Sequence, residues 1–480
     1  MLAKNIISGR EIFQQNEEKK NRYNPSNGEL VSTYYESTNQ DIRDAVDAAE
    51  CALVNEKWSS NQKDRASFLH KVSEIIMNNL EELSRYQSLE TGKVYKDSMI
   101  ETRTAADLFD FYSGATRILY GKTSAPESGK LSITLREPVG VVAIIVPWNS
   151  PIVLLSRSLA PALAAGNSVI VKPSSLTPLT VYRFIKLILE NSPEIPAGVI
   201  NLIQGSGTKA GRELILDHKV NMISFTGSTT TGKKIMGDAS QNLKRFTLEL
   251  GGKSPNIIFG DANMKNAVEG AIRGAMLGSA GQICFAGTRI LVQENIHNEF
   301  MQKISEVIPN MKVGDAMDSE VSVGPLISEE QYNKVKELIE EGKQSSKLVL
   351  GGNKLEGGIY NMGKYIAPTI FDDVRPDSKI AQEEIFGPVL SVITFSTLDE
   401  ALEIANNSRY GLSAAVWTND VTKAFRVARY LKAGTVWINN YGKMISETES
   451  GGYKESGIGR SRGIGGIEAY TELKNIIFEL

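Results

Sequence analysis

Val139-Gly140-Val141-Val142-Ala143-Ile144-Ile145-Val146-Pro147-Trp148-Asn149 runs almost directly into a second apolar stretch, Pro151–Ala165. The first run, closed by Pro147, has the length of a buried strand, and the second is long enough for a helix. The same rhythm repeats downstream. Short β-rich runs at Ser168–Val171, Val199–Ile203, Met222–Phe225 and Phe246–Leu250 alternate with helical segments at Pro178–Glu190, Lys209–Leu216 and Thr229–Ala239. Strand and helix in alternation predict an α/β fold, a parallel sheet with helices on its faces. In such sheets ligands bind at the carboxyl ends of the strands.

A second alternating segment follows Gly252 and runs to about residue 435, with strands near Arg289–Val292, Leu348–Leu350, Val389–Thr394 and Thr435–Ile438. It reads as a second α/β domain. Ahead of both, residues 39–57 and 62–87 carry the apolar spacing of surface helices. Cys51 lies on the first and is expected to be a small buried thiol. Leu131–Arg136 alternates with period two and, with Asn475–Leu480, is expected to form an exposed sheet edge. Such edges need pairing or cover, so this one is read as an assembly surface.

Composition narrows the function. A chain of 480 residues has room for two or three domains. With 53 basic and 56 acidic side chains the net charge is -3, which argues against a nucleic-acid partner. Two cysteines, Cys51 and Cys284, cannot build a disulfide framework, so a reducing, cytoplasmic setting is expected. The opening residues lack the apolar run of a signal peptide. Pro138–Ser156 approaches membrane-spanning length, but Pro147, Asn149 and Pro151 interrupt it, and no membrane partner is expected. His70, His218 and His297 are scattered without ligand spacing, so no metal site is expected.

Chemistry concentrates in glycine-rich turns. Cys284 sits in Gly281-Gln282-Ile283-Cys284-Phe285-Ala286-Gly287, and Glu249 in Leu248-Glu249-Leu250-Gly251-Gly252-Lys253. A free thiol with pKa near ~8.5 is only slightly ionised at neutral pH and needs help to act as a nucleophile. A carboxylate within reach supplies a base, for the thiol or for a water. Glycines on either side let the backbone approach a ligand closely. Asn149, just past a strand end, offers an amide N–H to a developing oxyanion.

Two further turns bear on nucleotides. Phe225-Thr226-Gly227-Ser228-Thr229-Thr230-Thr231-Gly232-Lys233-Lys234 nearly matches a P-loop, but Lys234 replaces the hydroxyl that would bind magnesium. A P-loop nucleotide hydrolase is therefore a remote alternative. A pyrophosphate received at the N-terminus of the following helix is the better reading. Gly205-Ser206-Gly207-Thr208-Lys209-Ala210-Gly211 resembles a dinucleotide fingerprint with one residue too many, and a plain glycine turn explains it equally well.

Taken together, Pro147-Trp148-Asn149, Val171-Lys172-Pro173-Ser174, Phe225-Thr226-Gly227-Ser228, Glu249-Leu250-Gly251-Gly252-Lys253, Gly281-Gln282-Ile283-Cys284, Glu384-Ile385-Phe386-Gly387-Pro388 and Gly451-Gly452-Tyr453-Lys454-Glu455-Ser456-Gly457 resemble the aldehyde dehydrogenase superfamily in order and spacing. The resemblance implies a Rossmann-like NAD(P)-binding domain (residues 1–120 and 140–250), a catalytic domain (251–435), and an oligomerisation arm with bridging segment (121–139 and 436–480). It also implies a homo-oligomer, a dimer or a tetramer.

By position, the resemblance makes Cys284 the nucleophile, Glu249 the general base and Asn149 the oxyanion donor, together with the Cys284 backbone N–H. Lys172 falls in both the catalytic and the coenzyme sets. Trp148, Ser175, Gly207, Gly227, Ser228, Leu250, Glu384 and Phe386 are the remaining implied coenzyme residues. Because Glu249 is present, hydrolysis to the acid is implied rather than transfer to coenzyme A.

Two departures refine this. Members preferring NAD often carry a glutamate three residues beyond the lysine, where this chain has Ser175, so NADP is expected to be accepted and favoured. Arg157 falls on the helix expected to line the substrate tunnel, as in branches oxidising succinate semialdehyde or lactaldehyde. A second arginine typical of the former would stand at Gly278. The expected substrate is therefore a short polar aldehyde such as glyceraldehyde or lactaldehyde. Succinate semialdehyde and broad specificity are the alternatives, and a non-catalytic structural relative is a further one, disfavoured by intact Cys284, Glu249 and Asn149.

Overall fold

A computed structural model describes residues 1–12, 19–54, 56–276 and 279–479. Four sheets organise them. The largest has eight strands in the order Gly457–Ile458, Arg245–Glu249, Met222–Thr226, Val141–Ile145, Ser168–Lys172, Ile200–Leu202, Asn5–Ile7 and Arg10–Ile12. Its five central strands are parallel, and antiparallel strands close both edges. The parallel strands are buried on both faces, which explains why they read as unbroken apolar runs.

Chain order reverses between Val141–Ile145 and Met222–Thr226. That is the switch point where the carboxyl ends of neighbouring strands diverge and leave a crevice. Pro147-Trp148-Asn149 and Gly227-Ser228 lie at its rim.

The second sheet has seven strands, in the order Lys347–Leu350, Thr369–Asp372, Val389–Phe395, Arg289–Gln293, Pro255–Ile258, Ser413–Trp417 and Thr435–Ile438. All pairs are parallel except that of Lys347–Leu350 with Thr369–Asp372. Only Leu250–Ser254 separates the last parallel strand of the first sheet from the first strand of the second. Glu249 therefore ends one sheet, while the Cys284 turn precedes the strand Arg289–Gln293 of the other.

The element reading of residues 139–250 holds closely, with the helices Pro178–Glu190 and Thr229–Ala239 matching in full. The region before it differs. The stretch read as one helix over 62–87 is two, Gln62–Asn78 and Leu80–Thr91, broken at Asn79. A long helix, Tyr95–Thr116, follows them. The first surface helix is Asn39–Leu53, held at its start by a reciprocal capping box between Thr38 and Asp41.

Cys51 corrects an expectation: it is exposed. The buried stripe of its helix is Ile42, Ala45, Val46, Ala49 and Ala52, and residue 51 falls off that face.

Lys130–Pro138 pairs antiparallel with Thr471–Glu479, and Lys122–Ser124 adds a third strand. This small sheet leaves Leu473, Ile477 and Phe478 exposed. Leu480 and Gly278 lie outside the described residues. Among the described residues no helix is long and apolar enough to cross a membrane.

Candidate active site

Gly251 and Gly252 bring the two sheets into contact. A Cβ on Gly252 would lie 2.6 Å from the Cys284 carbonyl oxygen, and one on Gly251 2.4 Å from a Glu384 oxygen. Neither position has room for a side chain. The Gly252 N–H donates to Glu384 at 3.0 Å. Gly281 is equally constrained, with φ of +74° and a would-be Cβ 2.2 Å from the Gly387 carbonyl. The Cys284 loop is thus seated against the Glu384–Pro388 segment by glycines at both contacts.

The loop is tied down further by Gln282. Its side chain donates to the Ser279 carbonyl at 2.8 Å and accepts from the Ile327 N–H at 3.1 Å. Asn149, buried just ahead of the helix Pro151–Ala164, donates through Nδ2 to the Gln282 carbonyl at 3.1 Å. One amide N–H fixes the loop and the other is left for a ligand oxygen.

Burial, together with the charges of Glu249 and Glu384, pushes the Cys284 thiol up to about 11. The Arg157 guanidinium and the Phe285 backbone N–H act in the opposite direction. A thiol so raised is protonated at neutral pH. Alkylation of Cys284 by iodoacetamide is expected to accelerate about tenfold per pH unit between pH 7 and 10, without a plateau. Arg157→Leu should slow it at every pH. A plateau below pH 9, followed with mass-resolved labelling because Cys51 is exposed, would contradict this ordering of charges.

Glu249 is buried at the end of its strand and held from two sides. Ser461 Oγ donates to it at 3.1 Å, and an Arg157 nitrogen lies 3.7 Å away. Arg157 also donates to Thr226 Oγ1 at 3.0 Å. Neither Ser461 nor its neighbour Arg462 figures in the sequence reading. They meet Glu249 only through a pairing across the whole chain, with no local pattern to mark them.

Arg462 is unusual in its own right. At φ 62° and ψ 176° it occupies backbone space that is essentially glycine's, at a cost of roughly 1–3 kcal/mol.

Among the residues expected to bind coenzyme, Trp148 and Phe386 meet edge to face with centroids 5.3 Å apart. Gln331 holds the Phe386 carbonyl at 2.8 Å. Gly227 is packed on the Phe225 ring, where a Cβ would lie 2.4 Å away, and its N–H donates to the Glu249 carbonyl at 3.1 Å. Ser228 caps the helix Thr229–Ala239, accepting from the Thr231 N–H at 3.2 Å. Leu250 is buried against Gly232 of that helix. Gly207 opens the helical turn Gly207–Gly211 with its surroundings clear.

Lys172 is buried, which draws its ammonium down to about 8, and it donates to the Pro173 carbonyl at 2.6 Å. Glu36, which the sequence reading did not single out, faces it: its charge raises the Lys172 value and its carboxylate accepts from the Ser206 N–H. Ser175 is half-buried nearby along the chain.

Nine of the expected residues thus fall in two adjoining groups, Cys284, Glu249, Asn149 and Arg157 in one, Trp148, Gly227, Leu250, Glu384 and Phe386 in the other; Ser228 follows Gly227, while Lys172 lies apart with Glu36 and the Ser206–Gly211 turn that holds Gly207, and Ser175 joins neither group. A model of the aldehyde dehydrogenase family matches residues 12–476. The chain belongs to the aldehyde dehydrogenase family. It is 42% identical to a betaine aldehyde dehydrogenase of Bacillus subtilis, over 98% of this chain and 96% of that one. A hydroxyisobutyraldehyde dehydrogenase of Mycolicibacterium austroafricanum is 39% identical over 94% of this chain and 89% of its own.

Among solved structures, a betaine aldehyde dehydrogenase of Staphylococcus aureus in complex with NAD+ superposes with a TM-score of 0.97 at 37% identity. The match covers 99% of this chain and 95% of that one. As an aldehyde dehydrogenase, the protein is an oxidoreductase.

Proposed function

We propose that the enzyme oxidises a short polar aldehyde to its carboxylic acid with NAD or NADP, through a covalent intermediate on Cys284. The observation that carries this is the meeting of Cys284, Glu249, Asn149 and Arg157 beside the Gly227-Ser228 turn. The coenzyme crevice fits a dinucleotide. Gly227 gives backbone access where a side chain would collide with Phe225, and the Ser228-capped helix presents its N-terminus to a pyrophosphate. Bound there, the nicotinamide would accept a hydride.

The chain's own residues supply the rest. The Cys284 sulfur, once deprotonated, forms a C–S bond to the aldehyde carbon while the carbonyl π electrons move onto oxygen. Asn149 and the Cys284 backbone N–H stabilise that oxyanion, each such donor contributing about 3 kcal/mol in a dry site. Loss of hydride from the same carbon leaves a thioester. Glu249 then takes a proton from water, whose oxygen attacks the thioester carbonyl, and the C–S bond breaks to release the acid.

Residues 1–120 with 140–250 are assigned to coenzyme binding and 251–435 to catalysis. Residues 121–139 with 436–480 are assigned to an arm that assembles cytoplasmic dimers or tetramers. The exposed Leu473, Ile477 and Phe478 support the last assignment.

Glyceraldehyde and lactaldehyde are compact candidates, and succinate semialdehyde is the carboxylated one. Betaine aldehyde, after which two of these relatives are named, carries a fixed positive charge that the buried Arg157 guanidinium would repel. It ranks behind them.

For the coenzyme, Ser175 removes a carboxylate that would repel a 2′-phosphate, whereas Glu36 beside Lys172 supplies one. The expected result is use of both coenzymes, with NADP favoured. Ser175→Glu should shift the kcat/KM ratio at least tenfold toward NAD, and Glu36→Gln several-fold toward NADP. Absorbance of the reduced nicotinamide with both coenzymes and a panel of hydroxylated, carboxylated, cationic and plain aldehydes tests the whole reading. No turnover with any of them would refute it, and a tenfold preference for NAD in the unaltered enzyme would refute the coenzyme assignment.

A further inference from the structure

Lys253 ends in an amine that no protein group holds. It is 1% exposed, and its Nζ has no hydrogen-bond partner among the described residues. Arg289, equally buried, stands beside it. Its Nε donates to the Lys253 carbonyl at 3.0 Å, and its other two nitrogens donate to the carbonyls of Ile404 at 3.2 Å and Ala405 at 2.9 Å. These partners are all neutral, so among the described residues neither buried cation has a carboxylate in contact.

Both residues line one small cavity, together with Ser254, Tyr410, Leu412 and the exposed Lys432 at its rim. The cavity offers about 10 Å³ to the centre of a water-sized sphere, which is room for one. The charge around it is predominantly positive. Arg289 and Lys334 act on Lys253 as like charges, and Lys432 and Arg289 act on Lys454 in the same way. Against them stand Glu384, which is engaged with the Gly252 N–H, and Glu383, which faces Arg409 at 3.1 Å.

Burying a cation without a counter-charge is costly, and buried charges are nearly always paired. We propose that this cavity binds a single halide ion, chloride under ordinary conditions, held by Lys253 Nζ in the field of Arg289. A halide fits on three counts. It only accepts, and an ammonium only donates. It is one sphere, whereas phosphate, sulfate and carboxylates are too large for the space. Its charge offsets that of the buried cations, which water cannot do. The site is independent of substrate and coenzyme, yet it joins the two halves of the molecule. Lys253 belongs to the linker that follows Glu249, and Arg289 opens the strand that follows the Cys284 turn.

Proton and anion should bind together. Burial, with the charges of Arg289 and Lys334, draws the Lys253 ammonium down to about 7, against the pull of Glu384 and Glu383. A bound anion favours the charged form and raises that value. Halide affinity should therefore be greatest below pH 7. Above it, affinity should fall about tenfold per pH unit until the raised value is reached.

The test uses the full-length enzyme and Lys253→Met, which keeps the length of the side chain and removes its charge. In a crystal soaked in sodium bromide, the unaltered enzyme should show an anomalous-scattering peak in the cavity, in contact with Lys253 Nζ. In solution, sodium chloride should raise the melting temperature by about 3 °C at pH 6, relative to sodium gluconate of equal ionic strength, and by less than about 1 °C at pH 9. Lys253→Met should show no such rise at either pH. No bromide in the cavity would overturn the proposal and leave water as the occupant. A bromide peak without the thermal shift would mark an adventitious ion only, and would overturn it as well. So would a chloride effect that is equal at the two pH values or persists in Lys253→Met. If that variant does not fold, the bromide peak and the contrast between pH 6 and pH 9, both read on the unaltered enzyme, decide the matter.

Discussion

Replacing Cys284 with alanine is expected to lower kcat by about 10⁴-fold or more while leaving the fold and coenzyme binding in place. Removing an enzymatic nucleophile costs on the order of 10⁶-fold where the remaining groups cannot substitute for it. Here the sulfur carries both covalent steps, bond formation to the aldehyde carbon and retention of the acyl group. Glu249 and Asn149 do neither.

The fold should tolerate the change. The loop is positioned by Gln282, by Asn149 and by the glycine contacts at Gly252 and Gly281, none of which involves the thiol. Loss of one half-buried sulfur should cost about 1 kcal/mol of stability. Circular dichroism and the melting temperature check that point, and steady-state rates with saturating aldehyde check the other. A Cys284→Ala enzyme retaining more than a tenth of normal turnover would refute covalent catalysis at this position.

How much of this was legible in advance depends on how far apart the interacting residues lie. The strands and helices of 139–250 could be read because each is a local apolar run closed by proline or glycine, and parallel burial makes the runs continuous. Cys284, Glu249 and Asn149 could be read because each sits in a distinctive turn.

Cys51 was misread because apolar spacing alone did not fix the rotation of its helix, and the stripe through Ala45, Ala49 and Ala52 turns residue 51 outward. The helix Tyr95–Thr116 carries no clear apolar stripe because its polar and apolar residues are mixed, and its helicity depends on packing against Gln62–Asn78 and Pro151–Ala164. Glu36, Ser461 and Arg462 were invisible for another reason. Each acquires meaning only from a partner far along the chain: Glu36 from Ser206 and Lys172, and Ser461 and Arg462 from Glu249. No pattern in their neighbours announces those meetings.

Glu249→Gln is expected to lower steady-state kcat by about 10²–10⁴-fold, the usual range for a positioned general base, while sparing the first turnover. Glutamine keeps the shape and can still accept from Ser461 Oγ, so the local geometry should persist. What is lost is the capacity to take a proton from water. The enzyme should therefore release about one reduced nicotinamide per active site in a rapid burst and then stall as the thioester on Cys284. Rapid-mixing absorbance measures the burst, and intact-protein mass measures the trapped acyl group.

An added nucleophile such as hydroxylamine should restart turnover in Glu249→Gln but not in Cys284→Ala, because only the former has an acyl group to transfer. The opposite pattern is equally informative. If the burst slows in step with the steady state, Glu249 serves the thiol rather than the water. The high thiol value near 11 leaves room for such a role, since a protonated sulfur must lose its proton before it attacks. Burst rate and steady-state rate, measured on the same variant, therefore decide which proton Glu249 carries.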